Sequence, residues 1–213
     1  MATTTPNYGW AVPTSTDLVK DGATAIETLG DSIDASMFTA LGTKKAGMVL
    51  LNTTSFSAVA SQSFNSVFSA TYNNYRIVGQ FSSPSADANL RFRYRKSGTD
   101  NTTTEYYGMF ARCSAAGVIA ALNTNSESSV SLLTMDSANA QRLYSFSYDL
   151  FNPFVTSFTT FVGNATGVEL DSSNYYGFSG ASQHRVSDTY DGFTVFPASG
   201  NMTGSVSVYG YNV

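Results

Sequence analysis

Cys113 is the only cysteine and His184 the only histidine among 213 residues. A single cysteine permits no intrachain disulfide and no cysteine-based zinc site. Charge is scarce as well. Charged residues make up 12% of the chain, about half the ~25% usual in soluble domains. No apolar run approaches the ~20 residues that a membrane-spanning helix needs. The opening residues lack a basic stretch followed by an apolar one, so no secretory leader is expected and synthesis in a cytoplasm is. No segment carries the basic excess of a nucleic-acid footprint, so nucleic acid is not an expected partner. Glycine-rich phosphate loops and a Gly-x-Ser-x-Gly nucleophile elbow are absent too.

What fills the chain is apolar, aromatic and uncharged polar. Hydrophobic residues reach 42% and aromatics 14%, enough to build a core in a chain of this length. Ser, Thr, Asn and Gly replace the missing charge. That composition points to β structure with uncharged polar outer faces. The net charge of −4 is concentrated. Residues 1–37 hold Asp17, Asp21, Glu27, Asp31 and Asp34 against Lys20 alone, and the remainder balances.

Residues 1–13 read as an extended arm, because Pro6 and Pro13 hold their neighbours out of helix. Tyr8, Trp10 and Val12 alternate along it. They either fold back onto the parent chain or insert into a neighbouring subunit. Thr14, Thr16 or Asp17 is placed to cap a helix beginning near residue 17. Val19, Ala23, Ile26, Leu29, Ile33 and Met37 then recur at spacings of three and four, one helical face. Gly22 and Gly30 weaken that helix, and Gly30 is a candidate stop. A short helix with such a stripe needs a partner. Gly42 and Lys44-Lys45 read as a linker, giving an anchoring segment over 1–40 and a second domain over 47–213.

After Gly47 the period changes to two. Strands are expected at Met48–Leu51, Phe56–Ala60, Tyr75–Phe81, Leu90–Tyr94, Tyr106–Arg112, Leu143–Leu150, Phe158–Val162, Tyr175–Phe178, Gly192–Phe196 and Val206–Tyr211. Turn signals separate them, including Ser83-Pro84-Ser85, Ser97–Asn101, Asn152-Pro153, Asn164–Gly167 and Asp191-Gly192. Short strands without helical interludes predict a mainly β fold: an antiparallel, jelly-roll-like β-sandwich preceded by an extended arm and one short helix.

No residue set commits to catalysis, a metal or a cofactor. His184 lies on a strand-like stretch and reads as structural. The acids of the β region are scattered, so paired carboxylates for sugar cleavage are not discernible. Asp188–Gly192 and Asp171–Asn174 match turns better than calcium loops. The Asn-x-Thr triplets at Asn52, Asn101, Asn164 and Asn201 follow from composition. Candidate binding residues are Arg91, Arg93 and Arg95, on one strand face, together with Tyr107 and Tyr176. The arginines suit a solvated edge, cross-strand acids, or an anionic partner. In Tyr106-Tyr107 and Tyr175-Tyr176 one ring of each pair must face outward, where aromatic rings favour interfaces and sugars.

Two stretches carry a family resemblance. The first runs from Thr5 to Asp34 and contains Asn7-Tyr8-Gly9-Trp10, Val12-Pro13-Thr14, Asp17–Ala23 and Ile26–Gly30. The second is the β region, from Gly47–Leu50 and Thr53–Ser57 through Tyr72–Ile77 to Thr203–Asn212. Both resemble tailed-bacteriophage virion proteins of the minor tail protein, tail fibre or head fibre kind. The resemblance implies a structural appendage and not an enzyme. It implies anchoring or assembly through Tyr8, Trp10, Val12, Val19, Ile26, Leu29 and Ile33, a homotrimer, other virion proteins as partners, and a host-surface glycan or protein as target. A capsid decoration role and a virion-bound glycan hydrolase are the alternatives.

Overall fold

A computed structural model describes residues 3–14, 18–41, 47–82, 84–114, 117, 119–138, 141–168 and 174–211. They form two compact units, one running through Gly47 and the other from Met48 to Tyr211.

The first unit opens with β1 (Thr3–Thr4) and β2 (Ala11–Val12), paired antiparallel as Thr3 with Val12 and Thr4 with Ala11. The arm is therefore not extended throughout but folds into a small hairpin. Gly9 closes the turn at φ 66°, donating to Thr5 O at 3.0 Å, and Thr5 N donates to Trp10 O at 2.9 Å. A residue with a Cβ adopts that φ with difficulty. A 3-10 turn at Val19–Asp21 leads into α1 (Gly22–Leu41). The N-cap is Leu18, with extended backbone and no side-chain cap. This replaces the expected start at residue 17; Thr16 and Asp17 lie outside the described residues, as do Gly42 and the Lys44-Lys45 pair. Gly30 does not stop the helix, which continues past Met37.

The second unit is built from β3 (Met48–Val59), β4 (Gln62–Phe64), β5 (Asn74–Ser82), β6 (Ala88–Lys96), β7 (Thr99–Asp100), β8 (Tyr106–Ser114) and β9 (Ile119–Glu127). It continues through β10 (Val130–Met135), β11 (Leu143–Phe151), β12 (Ser157–Val168), β13 (Tyr175–Asp188), β14 (Gly192–Pro197) and β15 (Met202–Tyr211). Eight strands make one antiparallel sheet in the order β3-β15-β5-β11-β12-β13-β8-β9. The other sheet runs β10-β6-β14-β4, with β7 paired to β6. The chain passes repeatedly between the two sheets, which pack as a β-sandwich.

Alternation decides which side chains fill the space between the sheets. On β5, Tyr75, Ile77 and Phe81 point in; on β6, Leu90, Phe92 and Tyr94; on β11, Tyr144, Phe146, Tyr148 and Leu150. Three of these tyrosines find a partner for the hydroxyl, while that of Tyr94 has none among the described residues. Tyr75 donates to Ser69 O at 2.8 Å, Tyr144 to Asp136 O at 2.8 Å and Tyr148 to Leu132 O at 3.1 Å. The void among Ile77, Phe92, Leu132, Phe146 and Phe161 amounts to only about 10 Å³. The core is filled, and ligand chemistry has to be sought on the outer faces.

Three features depart from the expected strand map. Met48–Val59 is one strand and not two. β4, β7, β9 and β10 form where no strand is expected from the sequence, β7 within the Ser97–Asn101 turn signal. Asn164–Gly167 is not a turn but the continuation of β12. The glycines there serve close packing: a Cβ on Gly163 would lie 2.1 Å from Ser147 O, and one on Gly167 2.6 Å from Thr134 O.

Candidate functional site

Strands β9, β8, β13 and β12 lie side by side, and their register sets rows of outward residues across all four. Asn125, Tyr107, Gln183 and Thr160 form one row. Asn123, Met109, Ala181 and Val162 form the next. A third contains Ala121, Ala111 and Ser179, and Ile119 closes the far end. Small side chains in the middle and larger ones around them leave an open groove of about 1240 Å³. Met109 and Ile119 are largely exposed along it. None of its lining residues carries a charge.

One end of the groove is braced. The Arg185 guanidinium lies over the Tyr107 ring, 4.1 Å from its centroid, and Arg185 Nε donates to Gln183 Oε1 at 3.0 Å. A cation–π contact of this kind is worth about 0.5–1 kcal/mol on a surface. Behind the groove, Ser182 Oγ donates to Tyr107 O at 2.8 Å. The Tyr107 main chain is thus tied to Ser182, and its ring orientation is favoured by Arg185.

Of the five residues expected to bind at the surface, only Tyr107 lines this groove. Tyr176 does not face outward. It is 6% exposed, whereas its neighbour Tyr175 is 57% exposed. The reason is parity: Tyr176 shares the inward face of β13 with Phe178, Ser182 and His184. The Arg112 guanidinium lies 5.1 Å from the Tyr176 ring.

Arg91, Arg93 and Arg95 do share the outer face of β6, but β6 is an internal strand, flanked by β10 and β14, and not an edge. Their stems cover the sheet and their guanidinium groups are engaged within the chain. Arg93 donates to Ser128 O at 2.9 Å and lies 4.5 Å from the Phe196 ring centroid. Arg91 Nη1 donates to Ser129 Oγ at 3.3 Å. Arg95 pairs with Asp100 and donates to Thr194 Oγ1 and Asn65 Oδ1, each at 2.9 Å.

Other carboxylates are also matched to cations. Asp149 receives a bidentate pair from Arg76, both bonds at 2.7 Å, while Lys96 holds Asp188 and Arg142 holds Asp136. Burial acts to raise the Asp149 carboxyl, but hydrogen bonds from Arg76 and Tyr211 outweigh it and hold it below the usual range. Among the described residues, no three His, Cys, Asp or Glu side chains gather as a metal site. Part of the Asp171–Asn174 loop falls outside those residues.

His184 is 1% exposed and stacks on Tyr106 at 4.0 Å. Its Nδ1 lies 3.3 Å from Glu105 O. Burial lowers its pKa to about 4, so the ring is neutral at physiological pH.

The anchoring candidates fall in the first unit. Trp10 Nε1 donates to Ser36 Oγ at 2.9 Å, and the Tyr8 and Trp10 rings stack at 5.1 Å. The hairpin thus folds back onto its own helix. Val12, Leu29 and Ile33 are half-buried. Val19 and Ile26 remain 97% and 65% exposed, and Met37 and Phe38 are exposed as well. No described helix is long and apolar enough to cross a membrane.

Comparison with known protein families, curated proteins and solved structures finds no match to this chain.

Asn123, Asn125, Met109 and Gln183 are groove residues that the sequence pattern does not single out. Asn123 and Asn125 flank Thr124, and asparagine is depleted in strands, so the stretch does not announce one.

Proposed function

We propose that this chain is a structural appendage of a bacteriophage particle, a tail fibre or minor tail protein. In this reading the N-terminal unit attaches it to the particle, and the sandwich meets the host surface. The observation that carries the reading is the contrast between the two units. The helix of the first leaves Val19, Ile26, Met37 and Phe38 uncovered. The second has a filled aromatic core and offers its chemistry on an outer face. An apolar stripe of this kind favours docking to other chains. The resemblance of Thr5–Asp34 to the opening segments of virion proteins supports the same assignment.

The test is particle incorporation. The full chain and a chain lacking residues 1–41 are supplied to particles assembling without their own copy, and purified particles are examined by mass spectrometry. The full chain is expected in the particle and the truncated chain is not. Equal incorporation of both, or absence of both, would sink the anchoring reading. Copy number sorts the location: a few copies per particle fit a fibre, hundreds fit a capsid decoration protein.

A further inference from the structure

We propose that the groove across β9, β8, β13 and β12 binds an uncharged glycan chain. This rests on the host-binding reading above and names its ligand class.

Charge is the first argument. All eighteen residues lining the groove are uncharged. The nearby Arg185 is committed to the Tyr107 ring and the Gln183 amide. Desolvating an ionic ligand against such a surface is unfavourable, because nothing replaces its water. A neutral ligand meets no such cost.

Size is the second. Four strands and four outward rows span roughly 14 Å by 20 Å, a footprint of about 300 Å². A stable protein interface takes about 800 Å² from each partner, so the groove alone is too small to seat a second protein or a second copy. Conversely, the groove exceeds the ~300–1,000 Å³ of an ordinary small-molecule pocket and is open. An extended chain fits better than one small compound.

Chemistry is the third. A sugar ring presents apolar C–H faces and a rim of hydroxyls. The groove offers both complements in adjacent rows. Ala111, Ala121 and Ala181 make an apolar floor low enough for close approach. Asn123, Asn125, Gln183 and Thr160 supply amide and hydroxyl groups that both donate and accept. Tyr107 adds an aromatic ring whose orientation the Arg185 contact already favours, which reduces the entropy lost on binding.

The experiment uses the full chain. Linear hexasaccharides of glucose, mannose, galactose and N-acetylglucosamine are titrated by calorimetry and by ligand-observed NMR, with a sialic acid polymer as the charged comparator. At least one neutral hexasaccharide is expected to bind, with affinity unchanged between low salt and ~0.5 M salt. Tyr107→Ala takes away the aromatic face and should weaken binding about tenfold. Ala121→Trp fills the floor while leaving the surrounding packing in place, and should abolish binding with the thermal melt unchanged. The proposal is overturned by binding of none of the neutral probes, by binding of the polyanion alone, by strong salt dependence, or by unaltered binding in Ala121→Trp. Dissociation of an oligomer in Ala121→Trp would assign the groove to a second copy and overturn it equally. Ala121→Trp should still enter particles, so loss of glycan binding and loss of anchoring are separately visible.

Discussion

The imidazole of His184 lies 4.0 Å from the Tyr106 ring, nearly parallel to it, in a cluster completed by Tyr94 and Tyr190. Tyr106 in turn donates its hydroxyl to Asn101 O, at 3.0 Å. The histidine therefore joins β13 to β8 and to the loop that follows β7. Nδ1 lies 3.3 Å from Glu105 O, whereas Nε2 has no hydrogen-bond partner among the described residues. A neutral ring fits this place and an imidazolium does not.

Acid should accordingly loosen the sandwich through His184. Its folded pKa is lowered from 6.5 to about 4 by burial. The unfolded chain thus takes up its proton first as pH falls, and stability present above pH 6.5 is lost progressively toward pH 4. The loss across that window is about 3 kcal/mol. Asp188, whose charge acts on the ring, is held ionised first by its hydrogen bond from Lys96 and discharges below this window. Denaturant melts between pH 7 and pH 5, above the range where the lowered Asp149 and Asp188 carboxyls add their own slope, should fall in the parent chain and run flat in His184→Phe. A parent curve that is flat over this range would exclude the mechanism.

Gly163 and Gly180 are direct cross-strand partners on β12 and β13. A Cβ on Gly180 would lie 2.1 Å from Met109 O and 2.8 Å from the Phe110 ring. On Gly163 it would meet Ser147 O at 2.1 Å and the Tyr148 ring at 2.7 Å. The glycine pair makes room for Phe110 and Tyr148, whose rings meet edge to face at 5.9 Å. Gly163→Ala and Gly180→Ala should each cost about 3 kcal/mol, the upper end for overpacking, since the atoms met are backbone. Gly117→Ala, with nothing within 4 Å of the added atom, has no such clash and serves as the control for packing, though its φ of 78° keeps it from being neutral. Equal stability of the Gly163 variant and the parent would refute the packing account.

These glycines also mark where the sequence is hard to read. Asn164-Ala165-Thr166-Gly167 has turn composition, yet the glycines answer to neighbouring backbone and aromatic rings that sequence proximity does not reveal. Where aromatics alternate with polar residues, as in Leu143–Leu150, the strand and its inward face are plain. The pair Tyr175-Tyr176 shows the limit of that signal. Alternation says that one ring is buried, but which one depends on register with β8 and β12. For the arginines of β6, alternation places them on one face correctly. Their engagement with Ser128, Ser129 and Asp100 depends on partners brought in by the fold. The groove is least legible, because its residues are drawn from four strands that only the fold brings side by side.

Trp10 is the only tryptophan and sits in the first unit, so its fluorescence reports that unit alone. α1 leaves Ile26, Met37 and Phe38 exposed, and a helix draws most of its stability from packing of its apolar face. Thr28, Ser32 and Thr39 bond back to carbonyls one turn earlier, which weakens it slightly. In the isolated chain, the fluorescence transition should therefore precede loss of the β circular-dichroism signal on heating. Ser36→Ala removes the acceptor of the Trp10 indole and should move only the fluorescence transition, by about 1 kcal/mol. Coincident transitions in parent and variant would contradict separate units.

The exposed helix stripe makes a further prediction, about self-association. On α1, exposed Ile26 and half-buried Leu29 and Ile33 have the spacing of a coiled-coil seam, and exposed Val19, in the preceding 3-10 turn, lies seven residues before Ile26. A homotrimer, as the virion-protein resemblance implies, would bury that seam at its own axis. Light scattering on the isolated chain should then give three chains per particle. Ile26→Asp with Ile33→Asp should give one chain per particle, with the sandwich melting as before. Salt supplies an independent check with a definite sign. Five carboxylates against one lysine in residues 1–37 repel their copies when the helices run side by side. Added salt screens that repulsion and should tighten the trimer. Assembly held together by ion pairs would weaken instead. A monomeric parent chain at every salt concentration would leave the stripe to a platform protein and remove the trimer.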